Sequence, residues 1–175
     1  MRFSKITMIT IWFAVVGMLS PAYAANSANA ILVINATFTK PSCTISAPPN
    51  YDLGELVRGQ VKEHELLLIN IECPGAQSTK TALTAKVLTG ILESSQDKVQ
   101  MMVNGKQNGT FLSFKSVNNT GTNSLIKLTG APQDAFCEVD SGESRQCQLI
   151  PVTEVHAADI PGHASAVLLF EVIYP

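Results

Sequence analysis

The chain has 175 residues, 46% apolar and only 15% charged, with a formal net charge of −2 at pH 7. That length suits one domain with a substantial core and is too short for two full sandwiches. The mild acidity argues against nucleic acid or an anionic membrane as the main partner.

Taken in chain order, residues 1–24 (MRFSKITMITIWFAVVGMLSPAYA) open with Arg2 and Lys5, pass through an apolar centre at 9–19 and close on Ala22-Tyr23-Ala24. The apolar part is too short to span a bilayer and the small-x-small ending suits processing, so the segment is predicted to be a signal peptide and no stable membrane insertion is expected. Its removal takes two basic residues and no acid, shifting the net charge from −2 to −4. Next comes a strand predicted over 31–39, where Ala30, Leu32, Ile34, Ala36 and Phe38 form one apolar period-2 row. The opposite row, Ile31, Val33, Asn35, Thr37 and Thr39, turns polar halfway.

Further strands are predicted over 43–47, 65–73, 81–89, 98–103, 110–116, 124–129, 147–152 and 164–174. The run LLLINIEC within 65–73 alternates only loosely and is expected to be buried on most of its length. Turn residues separate the strands: Pro48-Pro49-Asn50, Pro74-Gly75, Asn104-Gly105, Asn108-Gly109, 118–122, Gly130-Ala131-Pro132 and Pro161-Gly162. The chain past residue 24 shows few stretches of 3.6-residue apolar period, so the fold class is all-β, a sandwich of the immunoglobulin type. The last strand is the best patterned: Ala164, Ala166, Leu168, Phe170, Val172 and Tyr174 form an apolar row, while the alternate row carries Ser165 and Glu171. Such a row requires a covering neighbour.

Cys43, Cys73, Cys137 and Cys147 all follow the signal peptide, and an exported chain with an even number of cysteines is expected to form disulfides. Of the three possible pairings, the predicted one joins Cys43 to Cys73, each on a predicted strand, and Cys137 to Cys147 across the hairpin-like turn EVDSGESRQ. No C-x2-4-C spacing supports a zinc site.

Catalytic constellations are missing. His64, His156 and His163 are far apart and read as surface residues, no G-x-S-x-G occurs, and Asp140-Ser141-Gly142 reads as a turn. The pair Glu63 and Glu65, and Glu143 near Asp140, lie in polar stretches suited to solvated faces. The glycines of NGKQNG lack the strand-to-helix context of a phosphate loop. Sequons at Asn35, Asn108 and Asn118 have meaning only in a eukaryotic secretory route. No enzyme activity and no cofactor are expected; the residues indicate a binding or structural protein.

The two patterned ends carry a family resemblance. A signal peptide, an alternating segment before the first cysteine, a second cysteine about thirty residues on, a glycine fourteenth from the end (Gly162) and a penultimate Tyr174 together make the sequence similar to chaperone-usher pilus subunits, the fimbrial proteins of Gram-negative bacteria. The resemblance covers both ends and reaches 79–155 only through general β character. It implies an incomplete immunoglobulin-like β-sandwich lacking the seventh strand, organised as signal peptide 1–24, donor-strand extension 25–40 and pilin domain 41–175. In such a subunit the open groove is filled first by a periplasmic pilus chaperone and then by the extension of a neighbouring subunit, with assembly at an outer-membrane usher.

Carried over by position, Ala30, Leu32, Ile34, Ala36 and Phe38 match the donor-strand row. Gly162, Leu168, Phe170, Val172 and Tyr174 match the strand that lies along the chaperone, together with Ala164 and Ala166, and the Pro175 carboxylate matches the terminus held by basic chaperone residues. Many members carry glycine where this chain has Ala36, which leaves the register open by two residues. The implied route is export to the periplasm and then a fimbrium on the cell surface, supporting adhesion. The lack of room for a second domain argues against a tip adhesin, and the extra cysteine pair with a middle less dominated by Ala, Gly and Thr than a rod pilin favours a minor or adaptor subunit; the alternative is a secreted immunoglobulin-like receptor-binding (adhesin) domain.

Overall fold

The computed structural model describes residues 35, 43–74, 79–117, 123–141 and 143–175. The signal peptide and, apart from the exposed Asn35, the strand predicted at 31–39 lie outside the described residues. Within them the order is β1 (Thr44–Ser46), β2 (Val61–Glu63), β3 (Leu67–Glu72), β4 (Thr81–Thr89), β5 (Ile91–Leu92), β6 (Lys98–Val103), β7 (Lys106–Val117), β8 (Asn123–Leu125), a short 3-10 turn at Pro132–Asp134, β9 (Phe136–Val139), β10 (Arg145–Glu154), β11 (Ala164–Ser165) and β12 (Val167–Ile173).

The strands form two sheets. The larger runs β1-β3-β10-β7-β6-β11, with β2 beside β10, β5 beside β6 and β8 beside β7; the smaller is β12-β4-β9. Their inner faces share one core, in which Ile69, Ile71, Leu83, Val99, Leu128 and Leu149 are fully buried. Period-2 patterning explains most of this. On β6, Val99, Met101 and Val103 are buried while Lys98, Gln100 and Met102 stay half-exposed. On β3, the expectation of burial on most of its length is corrected: Leu67, Ile69 and Ile71 face the core, but Leu68, Asn70 and Glu72 are exposed, because only the inner face of this sheet is covered.

The Asn104-Gly105 dipeptide closes the β6–β7 hairpin as expected, with φ of 49° and 74°, the doubly positive geometry of a two-residue turn matched to strand twist. Asn108-Gly109 does not make the expected turn. β7 runs straight through it, and a Cβ at Gly109 would stand 2.0 Å from an oxygen of Asp159. That buried carboxylate accepts the Thr110 hydroxyl at 2.9 Å and the His156 backbone N–H at 2.8 Å, so a tertiary contact overrides the local turn signal. The strand expected over 124–129 is reduced to β8, beyond which Thr129 makes a single bridge to Lys86.

Pro151 sits within β10, where a proline should break a ladder. β3 pairs with β10 at Arg145 to Leu149 and β2 takes over at Val152. The carbonyl of Pro151 accepts the His64 N–H at 2.9 Å on that side. Since both polar groups of a strand residue point to one side, the missing N–H falls in the gap between β3 and β2.

Cys43 is bonded to Cys73 and Cys137 to Cys147. The second bridge does not close a hairpin. β9 pairs with β4 in the small sheet whereas β10 lies in the large one, so this disulfide staples the two sheets together. Arg145 on β10 reinforces it, donating to the Cys137 carbonyl on β9 and to both the hydroxyl and the carbonyl of Thr81 on β4. Burial among these neutral acceptors lowers the guanidinium pKa.

Candidate functional site

β12 pairs with β4 along one side, from Val167 opposite Thr89 to Ile173 opposite Ala82. Among the described residues its other side has no partner strand. Its even-numbered row turns inward as the pattern requires: Ala164 and Ala166 just before it, then Leu168, Phe170 and Val172, all pack against the core. None of them is fully buried, whereas Leu83 and Ala85 on the neighbouring β4 are. A row shaped for burial is therefore only half covered.

The uncovered half lines a groove of about 1030 Å³. Its floor is core side chains from the large sheet, Leu67, Met101, Leu112 and Phe114, and Phe170 meets Phe114 edge-on with ring centroids 6.4 Å apart. One wall is β11 and β12. The other is Ile45 on β1 and the segment at 47–58, which lacks regular structure and turns Tyr51 and Leu53 toward the core. Tyr51 is tied down by its hydroxyl, which donates to the Glu65 carbonyl at 2.6 Å. Desolvation, helped by the Glu65 charge, raises its pKa and keeps that donor proton in place. The volume is at the top of the range for small-molecule pockets, and an apolar floor beside an unpaired strand edge is suited to an extended peptide.

The residues predicted from sequence divide into three groups. Gly162, Leu168 and Phe170 line the groove. Val172 packs on the core beyond the groove, and Tyr174 is 44% exposed, its hydroxyl accepting the Cys43 N–H at 2.8 Å. Gly162 has φ of 150°, and a Cβ there would lie 2.7 Å from the Val103 side chain, so the glycine lets the chain turn into β11 hard against β6. Ala30, Leu32, Ile34, Ala36 and Phe38 lie outside the described residues. Sequence reading missed the second wall; the spacing of Tyr51 and Leu53 after Pro48-Pro49 was its one available signal.

The histidines do not join this site as a cluster. His64 is half-buried rather than a plain surface residue, its Nε2 lying 2.8 Å from the hydroxyl of the fully buried Thr153, and desolvation, then Lys62, lowers its pKa. His156 sits against Glu154 and Asp159 with its ring edge-on to Phe111. Among the described residues no group of three or more His, Cys, Asp or Glu could hold a metal ion.

No family model matches this sequence, and no curated protein matches it. Among solved structures the chain is similar to the crystal structure of the P pilus rod subunit PapA, at 25% identity over 76% of this chain and 99% of that one, with a TM-score of 0.50. The chain thus has a pilin fold, an all-β, incomplete immunoglobulin-like sandwich.

Proposed function

We propose that the chain is a structural subunit of a bacterial surface fimbria, assembled by donor-strand complementation. The observation that carries this reading is the β12 row, packed on the core yet nowhere fully buried, beside a groove lined by core side chains. The occupant is a β-strand with apolar side chains at alternate positions, and the segment 30–38 of a neighbouring subunit has that pattern. Before assembly a periplasmic chaperone strand fills the same groove, and an outer-membrane usher is the place of exchange. Likeness to a pilus rod subunit supports a place among neighbouring subunits in a fibre on the cell surface.

Covering five apolar side chains at about 1–3 kcal/mol each contributes on the order of 10 kcal/mol before association costs. The backbone edge of β12 adds ladder bonds that would otherwise invite aggregation. Within the fibre, the donor-like segment in the chain itself favours a place below the tip, and the second disulfide favours a minor or adaptor position there. The test is to express the full chain with and without a cognate periplasmic chaperone and to add a peptide of residues 28–39. Dependence on the chaperone or stabilisation by the peptide is expected; a stable monomer that ignores every donor peptide overturns the proposal.

A further inference from the structure

We infer that Tyr174 is the end stop of the groove, fixing the register of the inserted strand by closing one end against Cys43. The inference rests on the donor-strand reading and adds to it a positioning residue. On β12 and the segment before it, the groove is lined from Asp159 to Phe170: Val172 and Tyr174 do not line it. At that boundary the Tyr174 hydroxyl accepts the backbone N–H of Cys43 at 2.8 Å, a bridge from the small sheet to the start of β1. Cys43 is itself held by its disulfide to Cys73, so the far anchor of the bridge is covalently fixed. At the opposite end Gly162 packs on Val103, and the Gly59 N–H and the Gln60 carbonyl pair with the backbone of Val155.

The geometry then limits what fits. The inward positions flanking the groove are Ala164, Ala166, Leu168 and Phe170. At about 3.3 Å per residue they extend along roughly 20 Å, room for four inward side chains of an occupant. The apolar row Ala30, Leu32, Ile34, Ala36 and Phe38 has five members, so one of them lies beyond the four flanking positions, at the end away from Tyr174. A one-residue slip would turn the apolar row outward and is forbidden by the pleat. A two-residue slip preserves the faces and is forbidden by nothing in the pleat; a closed end is what excludes it. The ambiguity around Ala36 is of this two-residue kind.

The experiment uses the full chain and labelled peptides of residues 28–39, 26–39 and 28–41, with dissociation rate and amide-exchange protection along β12 as readouts. For the unsubstituted protein, lengthening the peptide at the end facing Tyr174 leaves dissociation unchanged, and protection stops near Phe170. In Tyr174→Phe, which retains the ring and loses the bridging oxygen, and in Tyr174→Ala, the same lengthening slows dissociation several-fold and protection spreads to residues 172–174. Unchanged length dependence in Tyr174→Phe overturns the end stop while leaving donor-strand binding intact. Failure of every peptide to bind the unsubstituted protein overturns both readings.

Discussion

Truncation of Phe170 separates a half-finished core from a complete one. Removing a fully buried phenylalanine side chain costs about 3–5 kcal/mol, including its edge-on aromatic partner, here Phe114. Phe170 packs on the core but remains partly exposed, so Phe170→Ala is expected to destabilise the unoccupied protein by only about half of that, near 2 kcal/mol. The other ~2 kcal/mol is realised when an inserted strand covers the ring, and it appears as about 30-fold faster loss of a bound 28–39 peptide. Denaturant midpoints of the unoccupied protein and dissociation of labelled peptide measure the two halves separately. Leu83→Ala is the comparison: that side chain is completely buried, so its full cost of about 3 kcal/mol falls on the fold itself. If Phe170→Ala costs the unoccupied protein the full 4 kcal/mol and peptide retention does not change, the row is already covered and the reasoning fails.

Three further outcomes follow from the same structure. His64 has a lowered pKa, so the unfolded chain binds its proton more readily; stability should fall as pH drops below the ordinary histidine value near 6.5, and His64→Asn should flatten that part of a pH series of urea midpoints. The two disulfides close separations of 30 and 10 residues, so replacing the Cys43 and Cys73 pair by alanine should cost about 4 kcal/mol and the Cys137 and Cys147 pair about 3, an order that denaturation checks and a reversal would contradict. Gly162→Ala pushes a methyl against Val103 and should cost about 1–3 kcal/mol, partly recovered in the double variant with Val103→Ala; strictly additive losses would place the strain elsewhere.

Much of this architecture was legible because period-2 patterning reports one thing, which face meets the core. β4 and β6 fall on the predicted limits, and the row ending in Tyr174 was visible as a surface in want of a cover. Other features were not local. β2 and β5 are too short and too exposed to show a pattern, and β9 was hidden because Phe136–Val139 finds its partner in β4, half the domain away in sequence. Gly109 looked like a turn because nothing nearby in sequence announces Asp159. The second wall of the groove escaped for a similar reason: Tyr51 is placed by a hydrogen bond to the Glu65 carbonyl within a segment that has no repeat to read.

The position of Cys43 has a mechanical consequence. A pull transmitted along the chain to Cys43 enters at a position immediately before the short edge strand β1. Edge strands peel one bond at a time, and β1 has only three residues paired to β3. The disulfide diverts the load: force arriving at Cys43 passes covalently to Cys73 at the end of β3, which is flanked by β1 and β10 within the large sheet. Rupture then requires shearing the β3 and β10 ladder as a block, from Leu67 to Ile71, instead of unzipping β1. A chain joined to its neighbours through its N-terminal segment would carry tension through a strand paired on both sides.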